Sequence, residues 1–377
     1  MKYFFLTILF LLPLSSGAGE SYYLKALKAQ KSGQLYKAAK LYSKELKKHP
    51  RHLQSHLNLA TVYHYLKDPA KAHLIMKDVL EIYPFSLEAN FNMGIIFAKE
   101  KRWKKASKFF EYAVKIRKTD FKSQYQLSKA YRKVKSFQVA EKQNLLVIGM
   151  KPKDISIRFE HAHFLIKNLQ YQLAEKEFWK MLELDKKNHL INFEYALLLD
   201  KMKNRADNAI TQYNNVILVK PENRIARYNL ARNYERVKLW KEAKQHYQIV
   251  LVKDPRHYPA NIRLGIIARK ENKDQLAFKH FDKAIAANPK VILPYEEKAL
   301  ILTKQEKYDL AAAQYELLIG QHKNYARAYV FKGWLFEKLG ELKNAEGQYK
   351  KAVRLDKDSD YSARNLKEFY LRKKKKK

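Results

Sequence analysis

The sequence predicts an all-α solenoid of stacked helical hairpins, and three observations carry this prediction. The 377 residues include only 10 Gly and 10 Pro, which is too little turn chemistry for a protein of many strands. An alanine recurs every 34 residues after the N-terminal segment. Within each period, apolar residues recur at three- and four-residue spacing over two stretches of about 14 residues, the pattern of two amphipathic helices.

The composition limits the classes of function before any motif is considered. A content of 46% hydrophobic residues excludes wholesale disorder. The absence of cysteine excludes disulfides, thiol catalysis and cysteine-ligated zinc. A formal net charge of +38 admits three kinds of partner: nucleic acid, an anionic membrane or envelope polymer, and acidic protein.

Residues 1–18 have the pattern of a secretory signal peptide. Lys2 precedes the apolar run Tyr3–Leu14, and Ser16 and Ala18 lie three residues and one residue before the expected cleavage site. The run contains Pro13 and falls short of the roughly 20 residues that span a bilayer, which favours cleavage over the alternative of a retained anchor. We therefore expect an exported protein, periplasmic or secreted, and export argues against a nucleic-acid partner.

The repeat begins directly after this segment and is marked by three positions. Each marker alanine follows a small residue by twelve positions, or thirteen in the sixth repeat, and an aromatic residue usually stands four positions after it. The marker alanines are Ala38, Ala72, Ala106, Ala140, Ala174, Ala209, Ala243, Ala277, Ala311 and Ala345. The residues four positions later are Tyr42, Met76, Phe110, Asn144, Phe178, Tyr213, Tyr247, Phe281, Tyr315 and Tyr349.

These positions explain how one hairpin forms and why hairpins stack. Small residues on both helices allow the two backbones to approach closely, and the aromatic side chain fills the space beside them. Proline ends the second helix in six of the units, for example at Pro50 and Pro255. A single hairpin cannot bury its apolar face alone, so neighbouring hairpins must pack against each other.

The unit resembles the tetratricopeptide repeat (TPR), a helix-turn-helix family with a 34-residue period. Residues 224–257 carry the residues of the family pattern, namely Tyr228, Asn229, Leu230, Ala231, Tyr234, Trp240, Ala243, Tyr247 and Pro255. The resemblance implies a right-handed superhelical solenoid of about ten TPR repeats. Their expected bounds are residues 19–52, 53–86, 87–120, 121–154, 155–188, 189–223, 224–257, 258–291, 292–325 and 326–359.

Two segments depart from the repeat pattern. Asn144 replaces the aromatic residue in the fourth repeat, so we expect looser packing there and a local kink. Residues 360–372 continue a helical pattern through Ala363, Leu366, Phe369 and Leu371, so we expect a capping helix followed by a solvated tail at residues 373–377. The domain organisation is thus a signal peptide at 1–18, repeats over 19–359, and a cap with a basic tail at 360–377.

No pattern in the sequence indicates catalysis or a cofactor. A phosphate-binding glycine loop, a G-x-S-x-G turn and an H-E-x-x-H helix do not occur. His52 and His56 have a spacing that suits metal ligands, but His56 stands at a buried family position and His52 in a turn between repeats. The run Asp356–Asp360 resembles the start of a calcium loop but lacks the later Gly and Glu of such a loop, which favours helix caps. We therefore expect no enzyme activity, no cofactor and no metal.

In TPR proteins the first helix of each repeat lines a concave groove through positions 2, 5, 6, 9, 12 and 13, here termed the groove positions. Position 5 holds an aromatic residue in six repeats, and this ladder suits an extended segment or a helix. The alternative is that an aromatic residue at this position is ordinary for the family. The ladder aromatics are Tyr23, Phe91, Tyr125, Phe159, Phe193 and Tyr228. Position 6 adds amides such as Asn229, which can hydrogen-bond a peptide backbone.

Two repeats concentrate positive charge at groove positions. The fourth repeat presents Lys122, Lys129, Arg132 and Lys133, the eighth presents Arg263, Arg269 and Lys270, and neither has an acidic residue there. A superhelix that turns once in about seven to eight repeats would place them across the bore from each other. We hypothesise that they bind an acidic peptide, the alternative being a solvated groove wall. The expected groove site comprises Tyr125, Lys129, Arg132, Lys133, Phe159, Phe193, Tyr228, Asn229, Arg232, Arg263 and Arg269.

The sequence thus predicts a non-catalytic interaction scaffold or adaptor that binds a protein or peptide, preferably acidic, in an extracytoplasmic compartment. The alternative is a peripheral binder of anionic envelope polymer or membrane through lysines on the second helices, the convex face of a TPR solenoid. Examples are Lys37, Lys40 and Lys44 in the first repeat and Lys104 and Lys105 in the third. A helper subunit of a glycan-modifying or secretion enzyme would use the same groove and stays open.

Overall fold

The computed structural model describes residues 21–356 and 360–375. These residues form 21 α-helices and no strand, as the repeat pattern predicts. The expected signal peptide at 1–18 lies outside the described residues, as does Asp358 of the calcium-like run. Among the described residues, no helix has both the length and the apolar character needed to cross a membrane.

The helices alternate between the first and second helix of each repeat, and odd-numbered helices are the first ones up to α19. Their bounds are α1 (Tyr22–Lys31), α2 (Leu35–Lys48), α3 (Leu53–Tyr65), α4 (Pro69–Ile82), α5 (Leu87–Lys99), α6 (Trp103–Ile116), α7 (Phe121–Val134), α8 (Phe137–Met150), α9 (Ile155–Lys167), α10 (Tyr171–Leu184), α11 (His189–Lys201), α12 (Ala206–Val219), α13 (Arg224–Arg236), α14 (Trp240–Lys253), α15 (Tyr258–Lys270), α16 (Asp274–Ala287), α17 (Leu293–Lys304), α18 (Tyr308–Gln321), α19 (Ala326–Lys338), α20 (Leu342–Leu355) and α21 (Asp360–Lys375).

The chain divides into two compact units, Met1–Phe178 and Trp179–Lys377. Within each unit, a helix packs against the helices that precede and follow it in the chain, which is the stacked-hairpin arrangement. The core of each hairpin consists of the marker alanine, the small residue of the first helix and the aromatic residue four positions after the alanine. In the seventh repeat these are Ala243, Ala231 and Tyr247, all with no exposed surface.

Local chemistry sets where the first helices begin and where the hairpins turn. Short polar side chains cap several first helices; for example, Asp120 accepts a hydrogen bond from the Ser123 amide at 2.7 Å. The residue at position 15 adopts a left-handed conformation in most turns, as at Gly33 (φ 75°) and Lys238 (φ 64°). The fourth repeat differs, because Lys135 is extended there (φ −106°) and the turn closes at Ser136. That repeat is the one in which Asn144 interrupts the family pattern.

The C-terminal helix is longer than the sequence analysis predicts. α21 extends to Lys375, so it includes Lys373, which we expected in a solvated tail. Two ion pairs attach this end to the tenth repeat: Arg372 lies 2.9 Å from Glu337, and Lys373 lies 2.9 Å from Glu346. These charges keep the basic end helical instead of leaving it to solvent.

Candidate functional site

The aromatic ladder of the groove is packed within the repeats that carry it. Tyr228 lies with its ring centroid 5.6 Å from that of Tyr247, the buried aromatic of the same hairpin. Phe159 and Phe178 are related in the same way, at 6.0 Å, and Phe193 lies 6.2 Å from Tyr213. The ladder residues are therefore half-buried and present only part of each ring to a partner. This packing favours the interpretation that the ladder is partly an ordinary feature of the repeat.

A hydrogen bond from the buried aromatic to groove position 12 distinguishes the repeats. Tyr247 donates to Glu235 at 3.0 Å, and Tyr349 donates to Glu337 at 2.6 Å. Repeats with a buried Phe have a residue other than Glu, Asp or Gln at position 12, for example Arg269 in the repeat of Phe281. The same pairing occurs between Tyr42 and Gln30 and between Tyr213 and Asp200. Burial, followed by the nearby carboxylate, raises the pKa of Tyr247, so the phenol stays protonated as a donor.

The basic cluster of the fourth repeat is paired with a carboxylate of the next repeat. Arg132 lies 2.6 Å from Glu160, and Tyr125 donates a hydrogen bond to the same carboxylate. Burial alone would raise the pKa of Glu160, but these two hydrogen bonds lower it below its ordinary value. Lys129 lies 5.1 Å from the centroid of the Tyr125 ring, and Lys133 is exposed. Thus Arg132 holds two structural elements together and is not a free cation.

The basic cluster of the eighth repeat is paired in the same way. Arg263 lies 3.5 Å from Glu235, and Arg269 lies 2.6 Å from Glu297. Lys270 lies 3.8 Å from the centroid of the Trp240 ring. These partners lie in neighbouring repeats, so a count of charges within one repeat does not indicate them. All three arginine pairs join groove position 12 of one repeat to position 6 of the next, 28 residues apart, and a search at that spacing finds them.

Two further predicted site residues remain open to a partner. Arg232 is exposed at position 9 of the seventh repeat, and Asn229 is half-buried at position 6 of the same helix. Together with Lys133 in the first unit, Arg232 is a groove cation for which no ion pair is found among the described residues. These side chains, like the exposed Lys122, can attract an anionic segment without breaking an existing ion pair.

A buried polar network lies beside Asn144. His161 is 2% exposed, with Nε2 located 2.8 Å from Glu141 and Nδ1 located 3.9 Å from Glu177. Arg158 forms a 2.6 Å ion pair with Glu177. A cavity of about 10 Å³, the size of one water molecule, adjoins Asn144 and His161. The looser packing that we expected at Asn144 is present as this cavity. The helix itself is not interrupted at Asn144, because α8 runs as one 14-residue helix from Phe137 to Met150.

The charges of this network balance only when His161 carries a proton. Burial by itself would lower the pKa of His161, but the hydrogen bond with Glu141 and the nearby negative charge of Glu177 raise it above the ordinary value. The imidazolium and the Arg158 guanidinium then neutralise the two carboxylates inside the hairpin stack. The network is thus a structural feature of the first unit, close to Tyr125 and Arg132 of the expected site.

A concavity on the groove positions of the second unit lies near the C-terminus, and the sequence did not predict it. This cavity of about 510 Å³ is lined by residues of α17, α18, α19 and α21. Its apolar lining includes Leu300, which is 51% exposed, together with the half-buried rings of Phe331 and Trp334. Nearly all the lining residues stand at groove positions 2, 5, 6, 9 or 12 of the ninth repeat, the tenth repeat and the cap. Apolar residues at consecutive groove positions could have indicated this cavity from the sequence, but a count of charges alone does not detect them.

The polar groups of this C-terminal groove cavity have defined partners. Glu296 accepts a hydrogen bond from the Tyr325 hydroxyl at 3.0 Å and lies 3.9 Å from Arg327. The Arg327 guanidinium stands over the Phe331 ring at 5.2 Å, and the Arg327 side chain is 57% exposed. The cavity therefore combines apolar walls with one cation, Arg327, and two carboxylates, Glu296 and Glu297.

The histidines that suggested a metal site have other roles. His52 caps α3 by accepting a hydrogen bond from the Ser55 amide, and His56 lies 2.8 Å from the Pro50 carbonyl. Over residues 21–356 and 360–375, no group of three or more His, Asp or Glu side chains is arranged to hold a metal ion. A separate apolar cavity of about 580 Å³, lined by Phe85, Phe109 and other residues of the first unit, adjoins the ends of α4 and α6.

Comparison with known proteins agrees with the fold. The family model for the tetratricopeptide repeat matches residues 23–86, 228–292 and 297–360, slightly more than half of the chain. No curated protein matches. A solved structure of Naa15/Naa10 bound to HypK-THB is 14% identical, with a TM-score of 0.50, and the match covers 93% of this chain and 66% of that chain.

Two smaller solved proteins match part of the chain. MamA is 24% identical, with a TM-score of 0.41, and the match covers 45% of this chain and 92% of MamA. YrrB, described as a TPR protein with an unusual peptide-binding site, is 20% identical, with a TM-score of 0.40. That match covers 50% of this chain and 97% of YrrB. At these identities, structural likeness concerns the fold and does not identify a ligand.

Proposed function

Because the chain belongs to the tetratricopeptide repeat family, whose members are protein-interaction scaffolds, we propose that it is a non-catalytic adaptor that binds a peptide segment on its groove positions. The C-terminal groove cavity is the principal anchor, and it holds an apolar side chain of the partner. The partner segment carries acidic residues beside that side chain, and the adaptor works in an extracytoplasmic compartment.

The observation that carries this proposal is the coincidence of an open cavity with groove positions of three consecutive first helices. Leu300 and Leu293 are 51% and 39% exposed there, although both are large apolar residues in the concave wall of a binding fold. Burying one Leu or Phe side chain of a partner stabilises a complex by about 1.5–3 kcal/mol, or roughly 10–100-fold in affinity.

The acidic character of the partner is supported by groove cations that have no carboxylate partner or only a distant one. Arg232 and Lys133 are exposed, and Arg327 has its nearest carboxylate only at 3.9 Å. The three paired arginines, by contrast, contribute little to capture, since a ligand must first compete with a carboxylate that already contacts each one. The extracytoplasmic setting is supported by the sequence of residues 1–18 alone.

A peptide-binding experiment tests the groove proposal. Fluorescent peptides carry one Leu, Phe or Trp flanked by Asp and Glu, and a matched panel is flanked by Lys. We expect the acidic panel to bind more tightly, and Leu300→Glu to weaken that binding by about tenfold or more. We expect Arg327→Gln to weaken binding of the acidic peptides and to leave binding of the Lys-flanked peptides unchanged.

Leu317→Glu is the matched control, because Leu317 is 57% exposed on α18, the second helix of the same repeat. It receives the same charge at similar exposure but lies away from the groove positions. Equal loss of binding in the Leu300 and Leu317 variants would refute the assignment of the cavity. Equal binding of the two peptide panels would refute the acidic partner.

Cell fractionation tests the proposed compartment. We expect the protein in the envelope or secreted fraction of its native host, with residues 1–18 removed. Recovery of the full-length chain from the cytosol with those residues intact contradicts the extracytoplasmic proposal and restores nucleic acid as a candidate partner.

A further inference from the structure

The first hairpin, α1 and α2, has the most one-sided charge in the chain. Residues 21–52 contain nine Lys or Arg and one acidic residue, Glu45, whereas residues 19–371 as a whole contain 69 basic and 38 acidic residues. Glu45 is 6% exposed and accepts a hydrogen bond from the Tyr23 amide at 3.0 Å. The single carboxylate is therefore used inside the hairpin and does not offset the basic surface.

Five of these cations form one continuous stripe along the outer face of α2. At 100° per residue, their side chains fall within an arc of about 100°, opposite the buried face that includes Ala38 and Tyr42. All five are exposed. The α2 lysine stripe consists of Lys37, Lys40, Lys44, Lys47 and Lys48.

The α2 lysine stripe has no charge partner in the structure. Within the described part of the chain, no carboxylate lies within 4.0 Å of any of the five amines. Lys44 and Lys48 instead stand over the ring of Tyr22, at 5.6 and 4.9 Å from its centroid, which leaves both ammonium groups at the surface. Five uncompensated charges on one face repel each other and are stabilised by an anionic surface.

An exposed aromatic residue borders the stripe. Tyr36 on α2 directly precedes it and is 80% exposed. A tyrosine ring with a polar tip is suited to the level of lipid headgroups, where its body meets hydrocarbon and its hydroxyl meets water.

We infer that the first hairpin docks on an anionic lipid bilayer, with the α2 lysine stripe against the headgroups and Tyr36 inserted among them. The α2 lysine stripe shares no residue with the groove positions, so changing it leaves the groove residues intact. The exposed aromatic ring favours a bilayer over a soluble anionic polymer, because a polymer in water offers no apolar layer for Tyr36. Firm membrane attachment needs two weak signals, and a basic face beside an apolar group supplies both.

Vesicle binding of the full-length chain tests this inference. The protein is titrated with phosphatidylcholine vesicles that contain or lack phosphatidylserine, and the ratio of the two partition coefficients is measured. This ratio cancels any apolar contribution that is the same for both lipids, including that of residues 1–20. Each basic residue near an anionic surface contributes about fivefold in affinity. Replacing all five stripe lysines with Gln should therefore lower the ratio by about 100-fold or more, and raised salt should lower the wild-type ratio.

The matched control replaces five exposed lysines of second helices in the other unit with Gln, so that the net charge changes equally. These are Lys241, Lys253, Lys279, Lys283 and Lys343. Gln and Lys have similar helix propensities, and circular dichroism verifies that both variants keep their helices. An equal fall of the ratio in both variants would overturn the inference, since net charge and not the stripe would then explain binding.

Tyr36→Ser separates a bilayer from a soluble polymer. We expect this change to weaken binding to phosphatidylserine vesicles several-fold, while binding to soluble polyglutamate stays the same. Two results together would show that the partner is an anionic polymer and that the bilayer inference is wrong. Tyr36→Ser would leave vesicle binding unchanged, and the stripe variant would lose binding to vesicles and to polyglutamate equally. Loss of vesicle binding with intact peptide binding to the groove keeps this inference distinct from the proposed adaptor function.

Discussion

Replacing Gly94 with Ala tests whether the hairpin core depends on close helix approach. A Cβ atom at Gly94 would lie 2.5 Å from Cε1 of Phe110, well inside van der Waals contact. Phe110 has no exposed surface, so its ring can move only by displacing other core atoms. Such overpacking typically costs about 1–3 kcal/mol, while the gain in helix propensity from Gly to Ala is about 0.5–1 kcal/mol. We expect a net destabilisation of the α5–α6 hairpin.

Gly347→Ala is the matched control for this prediction. Gly347 lies in the interior of α20, and no atom outside its own helix lies within 4 Å of a Cβ built there. It should therefore show the propensity gain alone, about 0.5–1 kcal/mol. The difference between the two variants isolates the steric term, about 1–3 kcal/mol. Ala231 and Tyr247 occupy one buried core cluster in the seventh repeat, so an alanine beside the aromatic residue is tolerated where the hairpin is built for it.

Amide hydrogen exchange followed by mass spectrometry measures the change in stability of each hairpin separately. A stack of repeats does not unfold in one step, so a global midpoint would mix contributions from many hairpins. Amides of α5 and α6 should exchange faster in Gly94→Ala, and those of α20 should exchange more slowly in Gly347→Ala. Adding Phe110→Leu to Gly94→Ala should recover part of the loss. If Gly94→Ala protects its hairpin as much as Gly347→Ala protects α20, the steric reasoning is wrong.

Three further predictions concern buried polar groups. Tyr247→Phe should destabilise its hairpin by about 1.5–3 kcal/mol, because the hydrogen bond to a carboxylate is lost. Amide hydrogen exchange in that hairpin measures this effect. Glu235→Gln keeps an acceptor for the Tyr247 hydroxyl and should therefore cost less. His161 has a raised pKa in the folded chain, so its contribution to stability is complete below about pH 6.5 and is lost as pH rises through the folded value. Local amide exchange in α9, with rates referenced to an unstructured peptide at each pH, should therefore show His161→Gln losing more stability, relative to wild type, at about pH 5.5 than at about pH 9; the opposite trend would contradict the assigned charge. Arg158→Met should destabilise the hairpins around α9 by about 3–5 kcal/mol, because Glu177 loses its 2.6 Å partner in the core, and amide exchange in α9 equal to that of wild type would refute this.

Sequence reasoning succeeded where one residue type serves one local purpose. A small residue at the close approach, an aromatic residue beside it and a proline after the second helix specify the hairpin, whichever repeat they occur in. The same pattern gave the helical class and located the exception at Asn144, where the structure has the one-water cavity and an unusual turn at Lys135. These features are local, so they can be read along the chain.

The expected binding site was harder to predict because it depends on side chains from successive repeats. Charge counts placed Arg132 and Arg263 in the site, but each contacts a carboxylate 28 residues away in the chain. The count could not register this, since the contact forms only when one hairpin stacks on the next. The same stacking opens the cavity around Leu300 and Trp334, whose apolar character alone looks like ordinary core.

By itself, the sequence determined the repeat, its two-helix unit and the basic surface, since these follow from periodicity and composition. Only the tertiary structure decided which charges are neutralised and which remain available. The reason is physical: an ion pair depends on distances of a few ångströms between helices, and stacking sets those distances. The net charge of +38 therefore resolves into paired arginines on the groove positions and an unpaired α2 lysine stripe, a distinction that a linear count of charges cannot make.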